Sequence, residues 1–137
     1  LILVDTSVWI DFVRGNTNNA TTALHALISD SADLCVADVI VTEFLRGVVD
    51  DTAYDRLKKD FLMFPILVSE GLKPYLRAAD IYRVCRRQGK TIRNSEDCLI
   101  AALAMEHNVT ILHNDSDFLS IGQVYPNLHL ADPSNYF

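Results

Sequence analysis

Four short, largely apolar runs punctuate the chain: residues 1–4 (LILV), 34–37 (LCVA), 66–68 (ILV) and 109–112 (VTIL). They do not alternate with polar residues, as strands with one wet face would. Continuous apolarity over this length reads as a parallel strand buried on both faces. Between the runs, apolar residues recur at helical spacing. The first helix runs from Thr6 or Ser7, either a suitable cap, through Trp9, Ile10 and Phe12 to Val13, and Gly15 closes it. After a polar loop at 16–19, a second helix covers 22–29. A third, capped by Asp38, reaches Gly47. A fourth starts at Asp51 or Thr52, with Tyr54, Leu57, Phe61 and Leu62 inward. A long helix is expected over 70–88, its apolar face running through Ala78, Ile81 and Cys85; Pro74 is tolerable only in its first turn, and Gly89 ends it. Residues 121–126 read as a loop, 127–130 as a short edge strand and 131–137 as a polar surface tail.

Strands alternating with helices imply an α/β fold: one domain over residues 1–137, with a mostly parallel sheet and helices on both faces. One stretch, residues 94–118, organises the rest. Cys98 to Met105 is unbroken apolar, with Ala101, Ala102 and Ala104 allowing close approach to a sheet. A surface helix would carry a single apolar stripe; this one is expected deep in the protein. Yet Asp97 stands in its first turn, and the strand after it empties into a loop bearing Asp115 and Asp117.

Ligands of an open parallel sheet bind beyond the carboxyl ends of its strands. Asp5 closes the first strand. Glu43 follows the second and falls on the apolar stripe of its helix, where a solvated glutamate would not. Asp115 and Asp117 follow the fourth strand, and Asp97 begins the helix leading to it. Each has a plainer reading alone: Asp97 as a helix-start residue, Asp115 and Asp117 as turn formers or caps. Asp11, Asp38, Asp51 and Glu96 read as caps or solvated charges. Together the first five converge on one crevice from both halves of the chain. No lysine lies within these motifs to offset their repulsion. Hard oxygen ligands of this kind suit Mg²⁺ or Mn²⁺, which activate water and clamp phosphodiester oxygens. Metal-dependent phosphodiester hydrolysis is the chemistry expected.

Charge modifies this picture in one respect. The net charge of −6 speaks against a nucleic-acid partner. Neutralising the five acids with metal leaves the remainder close to neutral, however, and seven of the twelve basic residues fall between Lys73 and Arg93. Arg83, Arg86, Arg87, Lys90 and Arg93 form a basic rim beside the acids, either a solvated helix face or a surface suited to phosphates. Cys35, Cys85 and Cys98 are scattered, without CxxC spacing, as expected of reduced thiols in a cytoplasmic protein. The four histidines show no zinc-ligand spacing, and His113, two residues before Asp115, reads as a turn or strand-end residue, with a contact to the site as the alternative. No run is long enough to span a membrane, and residues 1–4 are too short for a signal-peptide core.

With these residues in place, the chain resembles the PIN-domain ribonucleases, and within them the VapC-type toxins of toxin–antitoxin pairs. The matching pieces are LILVDTSVWIDFVRG, VTEFLRG and TIRNSEDCLIAALAMEHNVTILHNDSDF, in that order along nearly the whole chain. The resemblance implies a three-layer α/β/α fold and places the family's acidic site on Asp5, Glu43, Asp97 and the Asp115/Asp117 pair. In that site Asp5, Asp97 and Asp117 would hold Mg²⁺ or Mn²⁺ directly, Glu43 and Asp115 would act through water or a second ion, and Thr6 would assist. It implies RNA as substrate, cut by metal-activated water to leave a 5′-phosphate and a 3′-hydroxyl. It also implies a homodimer and a cognate VapB-type antitoxin covering the site. Trp9, Phe12, Val13, Phe44, Leu45 and Val48 are candidates for the antitoxin's groove, against the plainer reading as core. A receiver domain is disfavoured because Asp5 stands alone, Ser69 follows the third strand, and 127–130 lacks a lysine; an aspartyl phosphatase is disfavoured because DTS replaces DxD. A non-catalytic RNA- or partner-binding PIN-like module is the alternative.

Overall fold

The computed structural model describes residues 1–137. Strands β1 (Ile2–Val4), β2 (Leu34–Ala37), β3 (Ile66–Leu67) and β4 (Thr110–Leu112) form one parallel sheet in the order β3-β2-β1-β4. The register pairs Leu3 with both Cys35 and Ile111. Helices α1 (Thr6–Arg14) and α2 (Asn19–Ser29) connect β1 to β2, and α3 (Asp38–Arg46) and α4 (Asp51–Phe61) connect β2 to β3. The chain then crosses to the far side of β1 through α5 (Lys73–Arg87) and α6 (Ser95–His107), and α7 (Ser116–Val124) follows β4. Right-handed crossovers put α1–α4 on one face and α5 and α6 on the other, because the direction of progress across the sheet reverses. That reversal makes the gap between β1 and β4 the switch point at which such sheets bind ligands.

The sequence of α6 explains its position. Cys98 to Ala104 are all buried, so the helix has no wet side over two turns, and it packs on α5 and α7. Its alanines leave no space to fill. Asn108, in the left-handed conformation (φ 52°), ends it and turns the chain into β4. No helix is long and apolar enough to cross a membrane.

Several expected details differ. Residues 116–124 are helical rather than a loop: Phe118 and Ile121 are buried one turn apart, and the Asp115 side chain caps the helix by accepting from the Asp117 amide. The expected edge strand contracts to a single parallel bridge between Ile111 and Leu130. The tail forms a 3-10 turn (Pro133–Tyr136) that packs on α2. Helix α5 starts at Lys73 rather than residue 70, since Gly71 has φ +64°. Helix α2 starts earlier, through a capping box between Asn18 and Thr21. The caps of α1 and α4 are Asp5 and Asp50. Asp38 does not cap α3; its carboxylate accepts from Ser69 N (2.7 Å) and Ser69 Oγ (3.0 Å), tying the end of β3 to the start of α3.

Ala104, fully buried in α6, tests this packing. Ala104→Leu is expected to destabilise the protein by about 1–3 kcal/mol through overpacking, measured by urea unfolding.

Candidate active site

The acids meet beyond the carboxyl ends of β1 and β4. The Asp5 amide donates to Leu112 O (2.9 Å), so the two strand ends are held side by side. Asp5 turns the chain into α1 and serves as its cap, while its Oδ2 accepts from Ser7 N (3.2 Å) and Ser7 Oγ (2.7 Å). The same Ser7 hydroxyl accepts from the Asn114 amide (3.0 Å) in the β4–α7 loop.

Asp97, Asp115 and Asp117 are the tightest group: each offers a carboxylate oxygen within 4.8 Å of the others. Asp5, Asp97 and Asp117 are buried, Asp97 to 4% exposure, and Asp97 Oδ2 has no hydrogen-bond partner. Burial, followed by the charges of Asp5 and Asp115, pushes the Asp97 carboxyl up to about 9. Two ionised carboxylates cannot hydrogen-bond to each other, so Asp97 meets Asp117 and Asp115 through a bond only when one of them carries a proton. Asp5 is also raised, by burial first, against the lowering effect of its bonds from Ser7.

Asp117 is held differently. Its carboxylate accepts from Arg93 N (3.1 Å to Oδ2) and Asn94 N (3.0 Å), the segment leading into α6, and the Arg93 guanidinium lies 3.7 Å away. Asp117 thus joins α7 to the start of α6 and thereby sets Asp97. Glu43 stands one step outward from the group. Burial raises it to about 7, aided by a hydrogen bond and repulsion from Glu96 and by the charge of Asp5. Glu96 is therefore a site neighbour that the sequence reading missed; an exposed glutamate in a helix's first turn carries no signal of its own. His113 directly follows β4, as a strand-end residue, and also touches the site loop: its Nδ1 accepts from Asp115 N (3.2 Å), and burial lowers its pKa.

The five basic residues separate. Arg83, Arg86 and Arg87 line an open cavity of about 580 Å³ with Tyr82. Lys90 instead donates to Gln123 Oε1, and Arg93 turns onto the acids, donating to Ser116 Oγ (2.9 Å) and lying 3.8 Å from Asp115 Oδ1. Arg93 is thus the cation that no lysine supplied. Of the apolar groove candidates, Trp9, Phe44 and Leu45 are core, whereas Val13 is exposed and Phe12 and Val48 are half-buried. Trp9, Phe12, Val13 and Phe44 nonetheless line a cavity of about 310 Å³ between α1 and α4, and Val13, Phe44 and Val48 line an adjoining one.

The residues fit a divalent metal. The donors are hard oxygens, three of them mutually close, and a buried carboxylate oxygen lacks a donor. The buried Thr6 hydroxyl, placed beside Asp5, is likewise unpartnered.

A PIN domain family model matches residues 2–124, and the chain belongs to the PIN domain family. It is 36% identical over 132 residues to VapC ribonuclease Mb1587 of Mycobacterium bovis and to ribonuclease VapC11 of Mycobacterium tuberculosis; the match covers 96% of this chain and 98% of each relative. Among solved structures it is similar to FitAcB from Neisseria gonorrhoeae, with a TM-score of 0.73 and 23% identity over 98% of this chain and 99% of that one. VapBC2 from Rickettsia felis, bound to a fragment of its promoter DNA, gives a TM-score of 0.69 and 19% identity over 95% and 96%. These likenesses agree with the α/β/α architecture described above.

The raised acids set a pH dependence. Asp97 keeps its proton to about pH 9 when folded but releases it near 3.8 when unfolded, so the fold binds the extra proton across that window. The stability this contributes is full below the unfolded value and is lost as pH rises toward 9; Glu43 adds the same sign between 4.5 and about 7. In EDTA, the Tm is expected to fall between pH 5.5 and 8.5, and Asp97→Asn should flatten that fall. Thermal unfolding of both chains across this range checks it; parallel curves would mean that Asp97 is already ionised.

Proposed function

We propose that this chain is a metal-dependent endoribonuclease, the toxin of a VapBC-type toxin–antitoxin pair, acting as a single PIN-like domain in the cytoplasm. The observation that carries the reading is the group of Asp97, Asp115 and Asp117 at the β1/β4 switch point, with a buried carboxylate oxygen left unpartnered. Its support is the 36% identity, over nearly the full length of both chains, with proteins named as VapC ribonucleases.

Asp5, Asp97, Asp115 and Asp117, with Glu43 at the edge, would hold Mg²⁺ or Mn²⁺. When bound, such an ion neutralises the cluster and lowers the pKa of a coordinated water. The chain supplies the remainder. Asp5 is oriented by Ser7, and Asp117 anchors the segment that aims Asp97. Glu43, at about 7 against Glu96, can hold or release a proton at neutral pH. Arg83, Arg86 and Arg87 form the open end of a phosphate track, a sequence-blind contribution that weakens with salt. Arg93, beside Asp115 and Asp117, takes its inner end, and Lys90, on Gln123, flanks the track.

Two partners follow. The cavities beside Trp9, Phe12, Val13 and Val48 suit an apolar segment of a VapB-type antitoxin. Leu72 and Leu76, 74% and 64% exposed around the start of α5, suit a second copy of the chain in a homodimer.

RNA cleavage by the purified chain tests the central reading. Activity with Mg²⁺ or Mn²⁺ is expected to disappear in EDTA and to fall about 100-fold or more in Asp97→Asn. Replacing Arg83, Arg86 and Arg87 together with alanine should weaken RNA binding and reduce its salt slope by about 2, at roughly 0.7 per phosphate for single strands. Full activity in EDTA or in Asp97→Asn removes the nuclease reading, and RNA binding without cleavage would leave a non-catalytic module.

A further inference from the structure

The mechanism does not use the polar contacts gathered around Asp11. Asp11, one turn along α1 from Ser7, accepts three side-chain amides: Asn16 Nδ2 on Oδ1 (3.1 Å), and Asn18 Nδ2 (3.0 Å) and Asn114 Nδ2 (3.1 Å) on Oδ2. Asn16 and Asn18 belong to the loop leaving α1. Asn114 lies 103 residues further on, in the loop that carries Asp115 and Asp117. Asn114 is therefore gripped at two points. Its side chain donates to Asp11, and its backbone amide donates to Ser7 Oγ, which in turn donates to Asp5 Oδ2 at 2.7 Å.

We infer that Asp11 and Asn114 are positioning residues, a clasp that locks the β4–α7 loop onto α1 and so fixes Asp5 and Asp115 relative to each other for cation binding. The inference rests on the metal-binding reading given above. The geometry favours it over a role in local capping alone. A cap for the loop after α1 would be complete with Asn16 and Asn18, and Asn18 already caps α2 through Thr21. The third amide comes from the other side of the acid site. Asp11 Oδ2 is shared between the two loops, so α1 becomes the common support for both. The bonds that β4 makes with β1 end at Leu112, three residues before Asp115. Across that interval the hydrogen bonds from the β4 side to α1 are the two made by Asn114. Without the Asp11 contact, the Asn114 amide must hold the Ser7 hydroxyl alone, and the same hydroxyl orients Asp5. Supporting groups around metal ligands commonly change metal affinity 10- to 100-fold.

Three variants test the clasp: Asp11→Ala, Asn114→Ala and, as control, Asn16→Ala, which removes an Asp11 partner on the α1 side only. Two measurements are made on each. In the metal-free chain, hydrogen exchange of the residue-114 amide is expected to quicken at least tenfold in Asp11→Ala and to stay unchanged in Asn16→Ala. By calorimetry, Mn²⁺ is expected to bind about tenfold more weakly to Asp11→Ala and to Asn114→Ala, with the double variant no weaker than either single one, because both remove the same link. Asn16→Ala should stay within about twofold of the unaltered chain. Unchanged exchange, or unchanged Mn²⁺ affinity with only a lowered Tm, overturns the clasp. Failure of the unaltered chain to bind Mn²⁺ is a separate result: it removes the metal reading itself, and the inference with it.

Discussion

Carboxylates forced together in a dry crevice repel one another, and here the repulsion is built in by the topology. The order β3-β2-β1-β4 brings the first and last strands side by side, so the acids that end them share one space. Asp97 meets them from the start of a helix with no wet face over two turns, and cannot withdraw to solvent without pulling α6 out of the core. The chain relieves the strain only in part. Ser7 serves Asp5, two backbone amides and Arg93 serve Asp117, and Asp97 keeps an oxygen with no donor. A cluster satisfied at its edges and unsatisfied at its centre is what a removable positive charge requires.

The division of labour among the acids follows from which elements they join. Asp5 and Asp115 are each both a cap and a site residue: the carboxylates that start α1 and α7 lie close enough to feel each other's charge, and an Asp115 oxygen lies within 4.8 Å of Asp97 and Asp117. Asp117 acts more as a tie between α7 and α6 than as an open ligand, since amides occupy its oxygens. Glu43 sits at the rim, where burial first and then its contact with Glu96 raise its carboxyl to about 7.

Most of this was legible in the residues. Apolar runs ending in acids marked the strands and the crevice, and the absence of any wet face on 98–105 marked α6 as buried. Period and charge cannot report which donors reach which acids. The grip of Asp117 on Arg93 and Asn94 depends on a fold-back of 23 residues, and that of Asp11 on Asn114 on one of 103. Glu96 looked like any exposed helix-start glutamate. Helix α7 was obscured because Asn114, Asp115 and Ser116 are turn formers and Gly122 interrupts a short apolar pattern; the spacing of Phe118, Ile121 and Tyr125 was the available signal. Arg93 read as part of a basic rim because five cations in sequence say nothing about which of them reaches the acids.

The parallel pairing of β1 with β4 joins residues more than a hundred positions apart, since Ile2 lies opposite Thr110. A ribosome therefore releases Asp5, Glu43 and Asp97 well before the strand that completes their surroundings. Until residues 110–117 have emerged and docked, β1 lacks one neighbour, and the crevice has neither its second wall nor two of its acids. A chain cut or stalled before residue 110 is thus chemically blank at this position, and whatever reactivity the fold has arises only once residues 110–117 have docked beside β1.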